Sequence, residues 1–270
     1  MAPLARLNPQ SLRHALTMAG LLALLGVAIG GLQWRQFQAL QAVATGAQGP
    51  EQLRLQEDQD RLRLSLLRRM PSFGYDNLIA NWTFLNFLQY FGNVDARLQV
   101  GYTVSPEFFE VIVDRDPRFV TPYLYLSAST SLFAGQPERT IEMMQRGLTS
   151  MTPTLPSGGY RVWRFLGIDQ LLFLGDGDAA RQSFITAAEW ADQSDEPEAA
   201  SVAEASRQTA AFLTENSASR AAQISAWVQV INLAVDDQVR QIAVERIQAL
   251  GGEILDLGQG RITVRYRTDE

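Results

Sequence analysis

The sequence predicts a mainly α protein. It reads as one N-terminal transmembrane helix, then an α-solenoid of helical hairpins, then a short C-terminal β-hairpin or extended tail. Three observations predict this. Residues 15–34 carry no charge over a length that crosses a bilayer. Beyond them, apolar residues recur at helical spacing between glycines at 92, 135 and 175, which lie 43 and 40 residues apart. At the end the period drops to two around Gly258-Gln259-Gly260.

Composition sets outer bounds. The chain has 270 residues, 46% apolar and 19% charged, which suits one or two packed domains. A net charge of −6 argues against general affinity for nucleic acid or for an anionic lipid surface. All 23 basic residues are Arg, a bias that ordinarily follows a GC-rich genome. There is no Cys, so disulfides, thiolate catalysis and Cys-ligated metal are excluded. The one His, His14, lies beside the apolar run, which removes a His base from any folded site.

The apolar segment Ala15 to Trp34 is flanked by Arg6, Arg13 and Arg35, and Trp34 stands where an interfacial aromatic belongs. Ala42-Val43-Ala44 resembles a cleavage site but lies about ten residues too far on, so an uncleaved anchor is expected. The basic residues before it place residues 1–14 in the cytoplasm and the body in a periplasm or lumen. Residues 35–70 form a linker broken at Gly46, Gly49 and Pro50, followed by a membrane-proximal helix on which Leu55, Leu62 and Leu66 share a face.

Residues 71–192 read as repeated hairpins. AGQPERTIEMMQRGLTSMTP from Ala134 and LGDGDAARQSFITAAEWADQ from Leu174 each join an apolar helix to a second helix through a Gly turn. Small residues recur where helices approach, namely Gly147 in one unit and Ala180, Ala187 and Ala188 in the other, with Met144 and Phe184 in the same larger slot. Pro117, Pro153 and Pro197 follow the second helices. The first unit carries extra residues, NVDARLQVGYTVS, before Pro106. Its opening helix, in FGYDNLIANWTFLNFLQYFG, holds seven aromatics and one charge, and its amides make a second membrane span improbable. Leu78, Leu85 and Leu88 read as its core face, with Trp82, Asn86 and Tyr90 near-opposite.

Residues 193–252 read as further helices: an Ala-rich helix after Pro197, one capped by Ser217 or Ser219, and one from Asp236-Asp237 to Gly251-Gly252. In the tail, residues 253–270, Ile262, Val264 and Tyr266 would face one way and Arg261, Arg265 and Arg267 the other.

The glycine spacing and the segment GDGDAARQSFITAA resemble the tetratricopeptide repeat, a helix–turn–helix unit, over roughly residues 76–192. Thr140, where Ala is usual, and a late closing Pro depart from that pattern. The resemblance implies a concave groove that binds polypeptide. In its register the groove receives Ile79, Trp82, Asn86, Gln89 and Tyr90, then Tyr125, Ser129 and Phe133, then Phe165, Asp169 and Phe173. A membrane-anchored scaffold that assembles or tethers a membrane protein complex is the expected role. A permanent accessory subunit and a carboxylate-dependent cell-envelope hydrolase are the alternatives. Protein partners at the membrane are expected, with no cofactor and no metal. Asp114-Arg115-Asp116 reads as a helix-end charge cluster, Asp176-Gly177-Asp178 as an inter-helix turn, and Ser157-Gly158-Gly159-Tyr160 as a helix entry without a phosphate-binding Lys.

Overall fold

A computed structural model describes residues 49–215, 220–235, 237–256 and 262–265, and within the N-terminal segment residues 18, 20, 23–27, 29–31, 33 and 34. The chain forms two compact units, Met1–Gly49 and Pro50–Glu270. In the first, the described residues from Met18 onward are helical up to residue 34. The predicted span 15–34 lies partly outside the described residues. The predicted loop as far as residue 48 and the Ser217 or Ser219 cap lie wholly outside them. No helix among the described residues is long and apolar enough to cross a membrane.

The second unit is mainly helical, with one small two-stranded sheet. Helix α1, Pro50–Arg69, starts at a proline and carries Glu51 in its first turn and Arg68 and Arg69 in its last, as the helix dipole favours. It buries Leu53, Glu57 and Leu64. Leu55, Leu62 and Leu66 do share a face, but that face is exposed.

Helix α2, Asp76–Gly92, corrects the expected core face. Ala80, Thr83, Phe84, Phe87 and Tyr90 point inward, whereas Leu78 and Leu85 stand 62% and 54% exposed. The rings decide the rotation of the helix. Phe87 meets Phe108 and Phe109 edge-on, and Phe84 meets Phe119 and Tyr125. A buried ring removes more apolar area from water than a leucine and adds the edge-to-face term.

The extra residues after Asn93 form a short helix α3, Val94–Val100, capped by the Asn93 side chain. Helix α4, Ser105–Arg115, is the central element, buried at Phe108, Phe109, Val111, Ile112 and Val113, and it packs on α1, α2 and the later α6. Helix α5, Thr121–Leu126, continues into a wider turn of helix over Ser127–Phe133 and pairs with α6, Pro137–Leu148. Gly147 on α6 is required by close approach, because a Cβ there would lie 1.8 Å from the Tyr123 hydroxyl. Helix α7, Gly159–Asp169, likewise widens over Gln170–Leu174 before α8, Gly177–Ala191, whose N-cap is Asp176. Gly175 joins them at φ +68°, a left-handed conformation that glycine alone adopts without cost.

Helix α9, Ala199–Glu215, packs on α8 through alanines. Helices α10, Arg220–Leu233, and α11, Asp237–Ala249, pack on each other, and α10 lies against the widened ends of α5 and α7. Strands β1, Glu253–Asp256, and β2, Ile262–Arg265, pair antiparallel with Ile254 opposite Val264. Val264 and Ile254 extend the apolar cluster centred on Trp227 and Val230.

Candidate functional site

The site is built where three helices meet. Leu124 and the turn Ser127–Leu132 come from the first helix of one hairpin, Phe165, Ile168, Asp169, Leu172 and Phe173 from the first helix of the next, and Ser225, Ala226 and Gln229 from α10. They enclose a hollow of about 530 Å³. Its wall is mostly apolar, as ligand sites commonly are.

The widened helix ends shape it. Ala134 N–H donates to Ser129 O across five residues at 3.0 Å, and Asp176 N–H to Gln170 O across six at 3.0 Å. Such expansions of an α-helix recur at functional positions. Here they lie on both sides of one hollow. Ser127 and Ser131, one turn apart, both reach Asp169 at the end of α7. Ser127 Oγ donates to Oδ1 at 2.8 Å and Ser131 Oγ to Oδ2 at 3.1 Å. Asp169 is fully buried, and two hydroxyls face it where a buried carboxylate ordinarily meets a cation. Burial pushes its carboxyl up to about 7, and the two serines only partly offset that.

A second concavity, about 450 Å³, lies between α1, α4 and α6 and is lined by Arg61, Arg68, Arg69 and Arg139 against Glu107, Glu110 and Asp114. Its charges are used internally. Glu110 takes Arg146 at 2.7 Å and Arg68 at 2.9 Å, and Asp114 pairs with Arg68 and with Arg146 at 3.1 Å. Burial raises the Glu110 carboxyl, but the arginines outweigh it and hold it below its usual range. The cluster cross-links three helices. Of the three charges at the end of α4, Asp114 belongs to this cluster, Arg115 pairs with Asp76, and Asp116 accepts from Arg118 N–H.

The residues expected in one groove are divided. Phe165, Asp169 and Phe173 line the hollow. Phe173 is buried, with Trp227 of α10 edge-on at 5.5 Å. Ser129 is buried and donates back to Tyr125 O. Tyr125 is partly buried against Phe84 and Phe87, and Phe133 against Phe91 and Tyr102. Tyr90 is buried, accepts from Val104 N–H and lies under the Arg97 guanidinium. Ile79 is partly buried in the same core. Trp82 stands 61% exposed, Gln89 is exposed, and Asn86 donates to Trp82 O.

Sequence reading missed Ser127, Ser131, Leu124 and all of α10's contribution. The run Ser127-Ala-Ser-Thr-Ser131 was the available signal, since hydroxyls at this density inside a helix need internal acceptors. Among the described residues no cluster of His, Asp or Glu is arranged to hold a metal ion. No family model, curated protein or solved structure matches the chain.

Proposed function

We propose that the chain is a single-pass, membrane-anchored helical-repeat scaffold of tetratricopeptide type, which holds a polypeptide partner and so assembles or tethers a membrane protein complex. Residues 15–34 would be the anchor, with residues 1–14 in the cytoplasm and the body across the membrane. The observation that carries the reading is the apolar hollow between the first helices of consecutive hairpins, because stacked helical repeats bind partners along concave surfaces and desolvated pockets there supply most of the binding energy. Exposed Leu124 at its rim and half-buried Phe165 in its wall are available to an incoming side chain.

A second reading is a permanent accessory subunit. Trp227 favours it, since the chain itself covers Phe173 and ligand exchange there would require α10 to move. The hydrolase alternative needs two facing acids, and among the described residues Asp169 is the one carboxylate lining the hollow.

A photo-cross-linker at Leu124 in the membrane-extracted full chain tests the proposal. A defined polypeptide cross-linked there, and lost on Phe165→Ala, is the expected result. Cross-links confined to the chain itself would overturn it. A partner present at fixed stoichiometry through every purification step would favour the accessory-subunit reading over an exchanging scaffold.

A further inference from the structure

The turn between α1 and α2 presents large apolar side chains to solvent on a rigid frame. Met70, Phe73 and Tyr75 are 46%, 85% and 64% exposed, and Leu78, Trp82 and Leu85 of α2 follow at 62%, 61% and 54%. Positions 78, 82 and 85 share one helix face, and Tyr75 enters on the same side. Scattered exposed leucines are ordinary, but a contiguous stretch of this size marks a contact surface.

Three further observations single it out. Phe73 has φ +50°, the left-handed region that a bulky residue occupies only at a cost, and Gly74 follows at φ +89°. Arg115 fixes this conformation from below. Its guanidinium donates to Leu67 O at 2.6 Å, to Met70 O, and to Asp76 Oδ1 at 2.9 Å, while Ser72 Oγ donates to Asp76 Oδ2 at 2.8 Å. The carbonyls at the end of α1 are thereby satisfied and the turn is held open. Asp76 is the one charged residue from Phe73 to Gly92, and Arg115 neutralises it. Two amides beside the face bond back along the helix: Asn81 Nδ2 donates to Asn77 O at 2.8 Å and Asn86 Nδ2 to Trp82 O at 2.6 Å. The face therefore holds no unpaired charge, and two of its amides already have partners, so little polarity would be stranded by leaving water.

Given the anchor proposed above, on which this step rests, we infer that this turn and the outward face of α2 lie in the interface of the same lipid bilayer. Residues 35–49 join the apolar segment to α1, and a chain of that length reaches at most roughly 50 Å when fully extended, which limits how far from a bilayer the second unit can be tethered. A ring-tipped wedge with Tyr and Trp at its margin suits the boundary between headgroups and acyl chains.

The absence of Cys makes the test direct. Spin labels are placed at Phe73→Cys, at Leu78→Cys and, as a water-exposed control on α8, at Gln182→Cys. Each full-length chain is reconstituted into phosphatidylcholine–phosphatidylglycerol vesicles, and collision with oxygen is compared with collision with a water-soluble nickel chelate. The oxygen-to-nickel ratio at 73 and 78 should exceed that at 182 several-fold. A chain that resists carbonate extraction yet gives equal ratios at all three positions would overturn the interfacial docking and leave the anchor standing. Extraction by carbonate would remove the anchor and the docking together. Labels at 73 and 78 shielded from both reagents would replace lipid with a protein neighbour and overturn the inference.

Discussion

Two seams of this molecule bury carboxylates in opposite ways. Between α1, α3, α4 and α6, every deeply placed acid meets arginine: Glu57 accepts from Arg97 at 2.6 Å, and Glu110 is shared by Arg68, Arg139 and Arg146. Between the widened turn after α5 and the end of α7, Asp169 meets Ser127 and Ser131 among the described residues. In the first seam arginines outweigh desolvation at Glu110 and offset part of it at Glu57, while in the second only hydroxyls oppose it. The difference shows which seam is fixed and which can respond. The arginines around Glu110 cross-link helices and hold it ionised, whereas the Asp169 carboxyl, faced by hydroxyls, adjusts its protonation near neutrality.

The largest effect expected from this contrast lies in the paired seam. Arg97→Met leaves Glu57 buried without its cation and should destabilise the fold by about 3–5 kcal/mol at pH 7. Urea denaturation measures it, and a loss below about 1 kcal/mol would mean the pair is solvated in solution. The loss should shrink in acid, because burial, the main influence on Glu57, already raises its pKa.

Asp169→Asn tests the other seam. A folded pKa raised to about 7 from the ordinary 3.8 means that the native state holds its proton more tightly than the unfolded chain. Its contribution is complete below about pH 4 and is lost as pH rises through 7. The substitution should therefore change little at pH 4 and stabilise at pH 8, by at most roughly 4 kcal/mol. A wild-type stability independent of pH between 4 and 8 would remove the contrast.

Glu110→Gln sharpens the comparison with the smallest effect and the opposite sign. Its folded pKa is lowered, so its stabilisation is present above the unfolded value and disappears as pH falls through the folded one. A cost of about 1–3 kcal/mol is expected at pH 7, shrinking as acid protonates the folded carboxyl. Equal costs at both pH values would show that Glu110 acts by packing rather than charge.

Much of the architecture was legible along the chain. The turn glycines and closing prolines mark local conformational breaks, so the hairpins of residues 121–148 and 159–191 fall close to where they were read. The orientation of α2 was not legible. Leucine and phenylalanine faces are both apolar on one helix, and only the rings of α4, Phe119 and Tyr125 choose between them. The site divided in the same way. Phe165, Asp169 and Phe173 follow from helical spacing within one segment, whereas α10 closes the hollow from more than fifty residues downstream.

What the sequence alone determined is local: where most helices begin and stop, the two-residue period near the last glycines, the absence of thiol chemistry, and an uncharged N-terminal run. Backbone conformation and composition are properties of short segments, and the amino acids state them directly. Tertiary structure decided which apolar face turned inward, which serines reached Asp169, and that Arg115 would hold Phe73 out in a strained turn. Those outcomes depend on burial and on partners distant in sequence, and both exist only once the chain has packed.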